Sequence, residues 1–225
     1  MSLDRIRPAA PLVLFGGTFD PVHRAHISAA RAVSKALHGA TVYLIPNAAP
    51  PHRPQPLASA EQRLAMLRLA IAPFPQLRID DRELRRAGPS WTIDTLRELR
   101  AEHGQRPLVL VMGADSLAAL HHWHRWQDYP ALCHLAVLPR PGAAAPSAEV
   151  LNAFPKGDAG QLATLPAGRR LMFSAPHLDV SSSAVRRALA ENEQCPALDE
   201  DVLAHIRRHG LYTVPDNACP DDEDS

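Results

Sequence analysis

Short apolar runs that end at glycine or proline alternate along this chain with longer segments whose apolar residues recur at helical spacing. Six runs predict buried strands, at residues 11–17, 40–47, 77–81, 107–113, 132–139 and 169–175. Five segments predict helices, at 23–39, 58–72, 90–104, 181–193 and 199–212. Strands that alternate with helices pair in parallel and are covered on both faces. The pattern therefore predicts an α/β fold with a doubly wound, Rossmann-like parallel sheet.

Local signals mark where several of these elements begin and end. Ser59 stands just before a helical pattern and predicts its N-cap. The next helix is predicted to be capped by Ser90 or Thr92 and to stop at Gly104. By contrast, the segment 141–168 is rich in Pro, Gly and Ala, and its composition predicts irregular structure.

Length and charge limit the classes of protein to which the chain can belong. We expect a single domain over residues 1–215 of the 225, followed by an acidic, disordered tail at 216–225. Lysine and arginine (24) balance aspartate and glutamate (24), so charge predicts neither nucleic acid nor a membrane surface as a partner. No apolar run reaches membrane-spanning length, and three widely spaced cysteines are typical of a reducing compartment. We expect a cytoplasmic protein.

The stretch LFGGTFDPVHRAH, residues 14–26, joins the first predicted strand to the first predicted helix. It contains neither GxGxxG nor the P-loop pattern, yet Gly16 and Gly17 would let backbone N–H groups approach a phosphate closely. His23 and His26 share one face of the helix start, where an anion is favoured. A phosphate clamp is one interpretation, and two surface histidines or a metal-binding pair are the alternatives.

Two motifs carry a resemblance to a known superfamily. GGTFDPVHRAH, residues 16–26, resembles the HxGH signature of the nucleotidyltransferase superfamily, and VSSSAVR, residues 180–186, resembles its second signature, ISSTxxR. Further stretches, at 45–56, 82–96 and 111–123, resemble bacterial nicotinate mononucleotide adenylyltransferases. The similarity extends over about residues 12–212. The one departure in the first signature is Ala25, where the family usually has glycine, although both histidines are present.

The resemblance implies a reaction and a cofactor. The phosphate of nicotinate mononucleotide would attack the α-phosphorus of ATP in line and give nicotinic acid adenine dinucleotide and pyrophosphate. No covalent enzyme intermediate is needed, so catalysis would come from positioning and from stabilisation of phosphoryl charge. Mg²⁺ would be bound through the ATP phosphates, with no metal ligand expected from the protein itself. The oligomeric state stays open.

The resemblance also implies roles for individual residues. The catalytic residues would be His23, His26 and Arg186. The residues that contact ATP and the phosphates would be Gly16, Gly17, Thr18, Arg53, Gly113, Asp115, Ser181 and Ser183. Nicotinate mononucleotide would contact Thr92, near its carboxylate, and Trp123, which would stack on the pyridine ring.

From residue type alone, these positions also have plainer interpretations. Arg53 could be a solvated loop arginine, Trp123 a core residue and Asp115 a helix N-cap. Ser181 and Ser183 could cap the helix that follows them, and capping is compatible with phosphate binding because different donors serve each.

Three alternatives concern the protein as a whole. A structural zinc site could form from His121, His122, His124, Cys133 and His134, although zinc ligands usually come in tighter pairs. An adenylyltransferase of the phosphopantetheine type would belong to the same superfamily, but such chains are typically shorter and lack the SWTIDT and GADSL stretches. A non-catalytic nucleotide-binding module would be expected to lack a catalytic histidine or the second signature, and this sequence has both.

Overall fold

Six parallel strands form one sheet in the part of the chain that the computed structural model describes, which is residues 10–48, 55–176, 178 and 180–213. The strands are β1 (Leu12–Gly17), β2 (Val42–Pro46), β3 (Leu77–Ile79), β4 (Leu108–Gly113), β5 (His134–Leu138) and β6 (Arg170–Met172). Their spatial order is β3-β2-β1-β4-β5-β6, and every pairing is parallel. This is the strand order of a doubly wound dinucleotide-type fold, so the predicted fold class is confirmed.

Helices connect the strands. Over the described residues they are α1 (Arg24–Ala36), α2 (Ala60–Ile71), α3 (Arg82–Arg85), α4 (Thr92–His103), α5 (Ala114–Ala118), α6 (Tyr129–Leu132), α7 (Ala148–Ala153), α8 (Ala159–Thr164), α9 (Ser182–Ala190) and α10 (Glu200–Arg208). Two short 3-10 turns, Leu120–His122 and Trp126–Asp128, lie between α5 and α6. None of the helices in the described ranges is long and apolar enough to cross a membrane.

Each face of the sheet is buried under its own set of helices. Val13 points to the face covered by α1, α2, α9 and α10, whereas its neighbours Leu12 and Leu14 point to the face covered by α4 to α7. This alternation gives two apolar cores, one on each side, and explains why the strands consist of nearly continuous apolar runs.

The two halves of the sheet meet at β1 and β4, which pair with each other through contacts such as Val13 with Val109. After β1 the chain turns into α1 on one face, and after β4 it turns into α5 on the other. The two connections therefore diverge and leave a crevice at the carboxyl ends of these strands, the usual ligand site in such sheets.

The local predictions met different outcomes. Ser59 caps α2 as predicted, since its hydroxyl accepts from the N–H of Gln62 at 3.3 Å, and Gly104 ends α4 with a φ of +55°. The predicted cap of α4 was wrong. Trp91 occupies the N-cap position, Ser90 donates to a glutamate instead, and Thr92 is already the first helical residue.

The segment 141–168 was predicted to be irregular, and that prediction was wrong for two parts of it. It contains α7 and α8, each capped by a side chain: Ser147 accepts from the N–H of Val150, and Asp158 accepts from that of Gln161. Arg53 and the acidic tail at 216–225 lie outside the described residues. The extent of the single domain, 1–215, stays a prediction.

Candidate active site

A cavity of about 460 Å³ opens at the carboxyl ends of β1 and β4, in the crevice between the two halves of the sheet. The sequence-predicted residues that line it are Gly16, Gly17, Thr18, Thr92, Gly113, Asp115 and Trp123. The predicted residues from the second signature do not line it, and neither do the two histidines of the first. The structure places those residues together at a neighbouring position, as described below.

The end of β1 shows why glycine is needed there. A Cβ on Gly17 would lie only 3.0 Å from the ring of Phe19, so a side chain at this position would displace a buried aromatic residue. A Cβ on Gly16 would meet no described atom within 4 Å and would instead project into open space. Gly16 and Gly17 therefore leave backbone exposed to the cavity, where a phosphate could approach it closely.

His23 and His26 stack on each other at the start of α1. Their ring centroids are 3.8 Å apart with an interplanar angle of 25°. The Nδ1 of His26 accepts a hydrogen bond from the backbone N–H of His23 at 3.3 Å. A neutral imidazole that accepts through Nδ1 carries its proton on Nε2, so the His26 ring keeps one N–H to donate to a ligand.

Burial favours the neutral form of both imidazoles. Burial lowers the pKa of His23 to about 4. Burial, and then the charge of His23, lowers the pKa of His26 well below its usual value. Within the described residues the Nδ1 of His23 is buried and has no hydrogen-bond partner. An anion bound beside these rings would raise both pKa values and would supply the missing partner.

Acidification is expected to destabilise the protein between about pH 6.5, where His23 protonates in the unfolded chain, and about pH 4, where it protonates in the folded one. The unfolded state binds more protons in this window, so the free energy of unfolding falls as the pH falls. At the lower limit the contribution of His23 to this loss is about 3 kcal/mol. Protonation of His26, whose pKa is also lowered, adds to it. Urea denaturation across this range measures it. His23→Asn should show a loss smaller by about that amount, and equal pH dependence in both proteins would contradict the assignment.

The second signature meets the first through α9. Arg186 donates from Nη1 to the backbone oxygen of Asp20 at 2.7 Å and from Nη2 to the hydroxyl of Ser183 at 3.3 Å. The hydroxyl of Ser182 donates to the backbone oxygen of Pro21 at 3.1 Å. Ser181 is the N-cap of α9, because its hydroxyl accepts from the N–H of Ala184. The helix is thereby fixed against the loop that leads into the histidine pair.

That loop is anchored by a buried carboxylate. Asp20 is 3% exposed, and its Oδ1 accepts from the hydroxyl of Tyr212 at 2.6 Å and from the N–H of Ala58 at 3.1 Å. Its Oδ2 accepts from the N–H of Leu57 at 2.8 Å. Burial, and then the hydrogen bond with Asp20, raises the pKa of Tyr212 above its usual range, so the hydroxyl remains a donor. Two distant segments, at residues 57–58 and at Tyr212, hold the residue between the glycines and the histidines in place.

At the other end of the cavity, aromatic residues surround Thr92. Trp123 packs edge-to-face against Tyr129, with ring centroids 6.0 Å apart, and both rings line the cavity. Thr92 and Tyr129 line the same cavity. Thr92 is also the first residue of α4, so the N–H groups of the first helical turn lie at this end. A flat ring carrying an anionic group fits such surroundings.

The end of β4 offers a carboxylate. Gly113 is the N-cap residue of α5, and Asp115 lies in the first turn of that helix. The alternative that Asp115 itself caps the helix was therefore wrong. Its Oδ2 accepts from Nη1 of Arg140 at 2.6 Å, and its exposed side chain borders the cavity.

Comparison with known proteins gives the family. The cytidylyltransferase-like family model matches residues 14–188. A "Probable nicotinate-nucleotide adenylyltransferase" of Marinobacter nauticus is 43% identical over 206 residues, which cover 89% of this chain and 95% of that protein. One of the same name from Yersinia enterocolitica is also 43% identical, covering 88% and 94%. The chain belongs to the nicotinate-nucleotide adenylyltransferase family. The resemblance drawn from the sequence motifs is thus confirmed.

A solved structure agrees with this fold. It is the Plasmodium falciparum nicotinic acid mononucleotide adenylyltransferase complexed with NaAD. This structure superposes on the present protein with a TM-score of 0.72. The superposition covers 90% of this chain and 97% of that one. At 15% sequence identity the likeness concerns the fold alone.

Two residues at this site of the family member, Asn47 and Arg63, were assigned no role from the sequence. Asn47 lines the cavity with a buried Oδ1 that has no partner within the described residues. The buried Arg63 donates from Nη1 to the backbone oxygens of Thr18 at 2.7 Å and Asn47 at 2.9 Å, and so joins the ends of β1 and β2. Asn47 directly follows the second predicted strand, so the sequence placed it at the carboxyl ends of the strands, where ligands bind, without assigning it a role.

The cluster of residues 121–134 does not form a zinc site in this family member. Both nitrogens of His134 are engaged by backbone groups: Nδ1 accepts from the N–H of Arg169 at 3.1 Å, and Nε2 lies 2.7 Å from the oxygen of Leu165. Burial raises the pKa of the Cys133 thiol, which disfavours the thiolate that zinc requires. Over the described residues no three His, Cys, Asp or Glu side chains are grouped so as to hold a metal ion.

Proposed function

We propose that this protein transfers the adenylyl group of ATP to nicotinate mononucleotide and releases pyrophosphate, a step of NAD biosynthesis. The observation that carries the proposal is the junction of the two signatures, where Arg186 of α9 is bonded to the Asp20 loop that leads into the stacked pair His23 and His26. The His26 ring lies beside Phe15, with centroids 6.2 Å apart, and Phe15 lines the cavity. Phosphate-binding groups thus stand at one edge of a cavity suited to a nucleotide.

The residues would act by positioning and by stabilising charge. One oxygen of the mononucleotide phosphate forms a bond to the α-phosphorus of ATP, and the bond from that phosphorus to the bridging oxygen of the β-phosphate breaks. The attacking phosphate is already ionised and pyrophosphate leaves as an anion, so neither a protein nucleophile nor a general base is required. Arg186 and the Nε2–H of His26 would donate to the phosphoryl oxygens as their charge rises.

Adenosine and magnesium complete the proposed complex. Gly113 and Asp115 would lie along the adenosine, with Asp115 accepting from a ribose hydroxyl. The cavity carboxylates already have partners, since Asp115 pairs with Arg140 and Glu83 accepts from two hydroxyls. We therefore propose that Mg²⁺ is held through the ATP phosphates, where it supplies charge neutralisation, and we assign it no protein ligand.

The acid group of nicotinate would be recognised at the start of α4. The N–H groups of the first turn and the side chain of Thr92 would donate to its carboxylate, and Trp123 would stack on the ring. We further propose that the enzyme works in the cytoplasm on these two small substrates without a nucleic-acid partner, in keeping with its balanced charge. A single catalytic domain over residues 1–215 would be sufficient for this reaction.

The purified protein is expected to prefer nicotinate mononucleotide to the amide analogue by at least about tenfold in kcat/KM. An amide group leaves at least one N–H donor of the site facing an NH₂ group, and each such unpaired donor costs about 1–3 kcal/mol. Pyrophosphate release would be measured with ATP, Mg²⁺ and, in turn, nicotinate mononucleotide, nicotinamide mononucleotide and phosphopantetheine. Turnover with phosphopantetheine alone would contradict the proposed function. Equal use of the two mononucleotides would contradict only the account of recognition.

A further inference from the structure

A buried carboxylate beside the start of α4 has no role in the mechanism described above. Glu83, from the short helix α3, is 7% exposed and lines the cavity. Its Oε2 accepts from the hydroxyl of Ser90 at 2.5 Å, and its Oε1 accepts from that of Thr95 at 2.7 Å. One of these donors precedes α4 and the other lies in its first turn. The carboxylate therefore holds the beginning of this helix from both sides.

The bond to Ser90 has a consequence for the helix start. Ser90 is the kind of residue that usually caps a helix, yet its proton is directed to Glu83. The N-cap residue is Trp91, and among the described residues no side-chain hydrogen bond caps α4. The N–H of Asp94 already donates to the backbone oxygen of Trp91 at 3.1 Å. The N–H groups of Thr92 and Ile93 are therefore the ones left for a ligand in the cavity, in the orientation that Glu83 fixes.

A cation is connected to this carboxylate through the hydroxyl of Thr95. Both Nη atoms of Arg86 donate to the hydroxyl oxygen of Thr95 at 3.2 Å, and Arg86 also pairs with Glu98 at 2.7 Å. The hydroxyl of Thr95 thus accepts from Arg86 and donates to Glu83, which fixes the direction of its proton. The three groups form a connected chain that ends at the wall of the cavity.

We propose that Glu83 is a positioning residue for substrate choice: it clamps the first turn of α4 so that the backbone N–H groups receive the carboxylate of the mononucleotide. The inference rests on the proposed function. The clamp and a direct effect of charge predict opposite changes in the preference for the acid when Glu83 is neutralised. A buried carboxylate acting only through space would repel an acid substrate, so its neutralisation would strengthen the preference for the acid. Loss of the clamp would weaken that preference.

The test is Glu83→Gln, with kcat/KM measured for the acid and the amide mononucleotides and KM measured for ATP. Ser90 and Thr95 donate to different oxygens of the carboxylate, and glutamine has an acceptor at only one of these positions, so one of the two hydroxyls faces an NH₂ group and loses the acceptor of its proton. We expect the acid-to-amide ratio to fall about fivefold through a higher KM for the acid, with KM for ATP unchanged. Glu98→Gln is the matched control, because it removes the same charge next to Arg86 without touching Ser90, and it should leave the ratio unchanged.

Ser90→Ala removes one of the two hydrogen bonds of the clamp and should also lower the acid-to-amide ratio. The double variant of Glu83→Gln and Ser90→Ala should have a ratio no lower than that of Glu83→Gln alone. An increased or unchanged acid-to-amide ratio in Glu83→Gln overturns the inference. So does a variant in which the use of the acid, the amide and ATP is impaired to the same extent. If Glu83→Gln does not fold, an unchanged ratio in Ser90→Ala overturns it. A wild-type protein without adenylyl transfer to either mononucleotide contradicts the proposed function itself, which distinguishes the two failures.

Discussion

Replacing His26 by asparagine is expected to lower kcat by about 10²-fold or more, the usual loss when one preorganised donor to a transition state is removed. Asparagine can place an oxygen near the position of Nδ1 and so keep the hydrogen bond from the His23 N–H. It has no group at the position of Nε2, the donor assigned to the transferring phosphoryl group. Steady-state kinetics together with a thermal melt would separate lost chemistry from lost folding.

His26→Ala should show a similar loss of turnover and, in addition, lower stability. The imidazole packs against the ring of Phe19 at 5.0 Å as well as against His23, and alanine removes both contacts. His103→Ala is a control at the far end of α4, where turnover should stay within about twofold of wild type. A folded His26→Asn protein with nearly wild-type kcat would remove His26 from the mechanism.

Arg186→Lys is expected to lower kcat/KM for ATP by about 30-fold, in the range for a lost charge-assisted hydrogen bond. The guanidinium already holds the backbone oxygen of Asp20 and the hydroxyl of Ser183, and its other N–H groups remain for a phosphate. An ammonium group is a point charge with three donors and cannot reproduce this fixed fork. Initial rates measured against ATP concentration would give the value.

Arg187 provides the matched control for this substitution. It is the next residue on α9, it is exposed, and the same exchange leaves the net charge unchanged. Arg187→Lys should therefore change kcat/KM for ATP by less than about twofold. Equal effects at the two positions would mean that α9 presents a general basic surface to ATP rather than one specific phosphate contact.

Features determined by neighbouring residues were predictable from the sequence. The order of strands and helices follows from apolar periodicity, because the spacing of apolar residues depends on whether one face or both faces of an element are buried. The cap at Ser59 is similarly local, since the donor N–H belongs to Gln62, three residues away. Interactions between residues so close in the sequence have few competing partners, so residue type alone is enough to predict them.

The start of α4 could not be predicted in the same way. Two candidate caps, Ser90 and Thr92, satisfied the local rule, but a tertiary contact decided the outcome. Ser90 lies near a buried acceptor contributed by Glu83, and a charged acceptor competes successfully with a backbone N–H for a hydroxyl group. The short helices α7 and α8 were missed for a different reason. Average composition concealed the caps at Ser147 and Asp158, each of which starts six helical residues.

The anchor of the loop between the glycines and the histidine pair was the least predictable part of the candidate site. Asp20 receives its hydrogen bonds from Leu57, Ala58 and Tyr212, which are 37, 38 and 192 residues away in the sequence. Two of these donors are backbone groups, so their residue types carry no signal. The motif could therefore indicate that the loop binds phosphate, but only the fold shows what keeps it in place.

The bond between Tyr212 and Asp20 also bears on how the protein is made. A ribosome completes the glycine and histidine motif at His26, long before it reaches Tyr212, and domains begin to fold while synthesis continues. The hydroxyl that holds Asp20 is added only at residue 212. A chain released after β6 and α9 would contain both signatures but would leave a buried carboxylate oxygen short of a donor. Incomplete translation products would thus hold the loop around Asp20 poorly, and the loop would be held fully only when α10 and the tyrosine beyond it had left the ribosome.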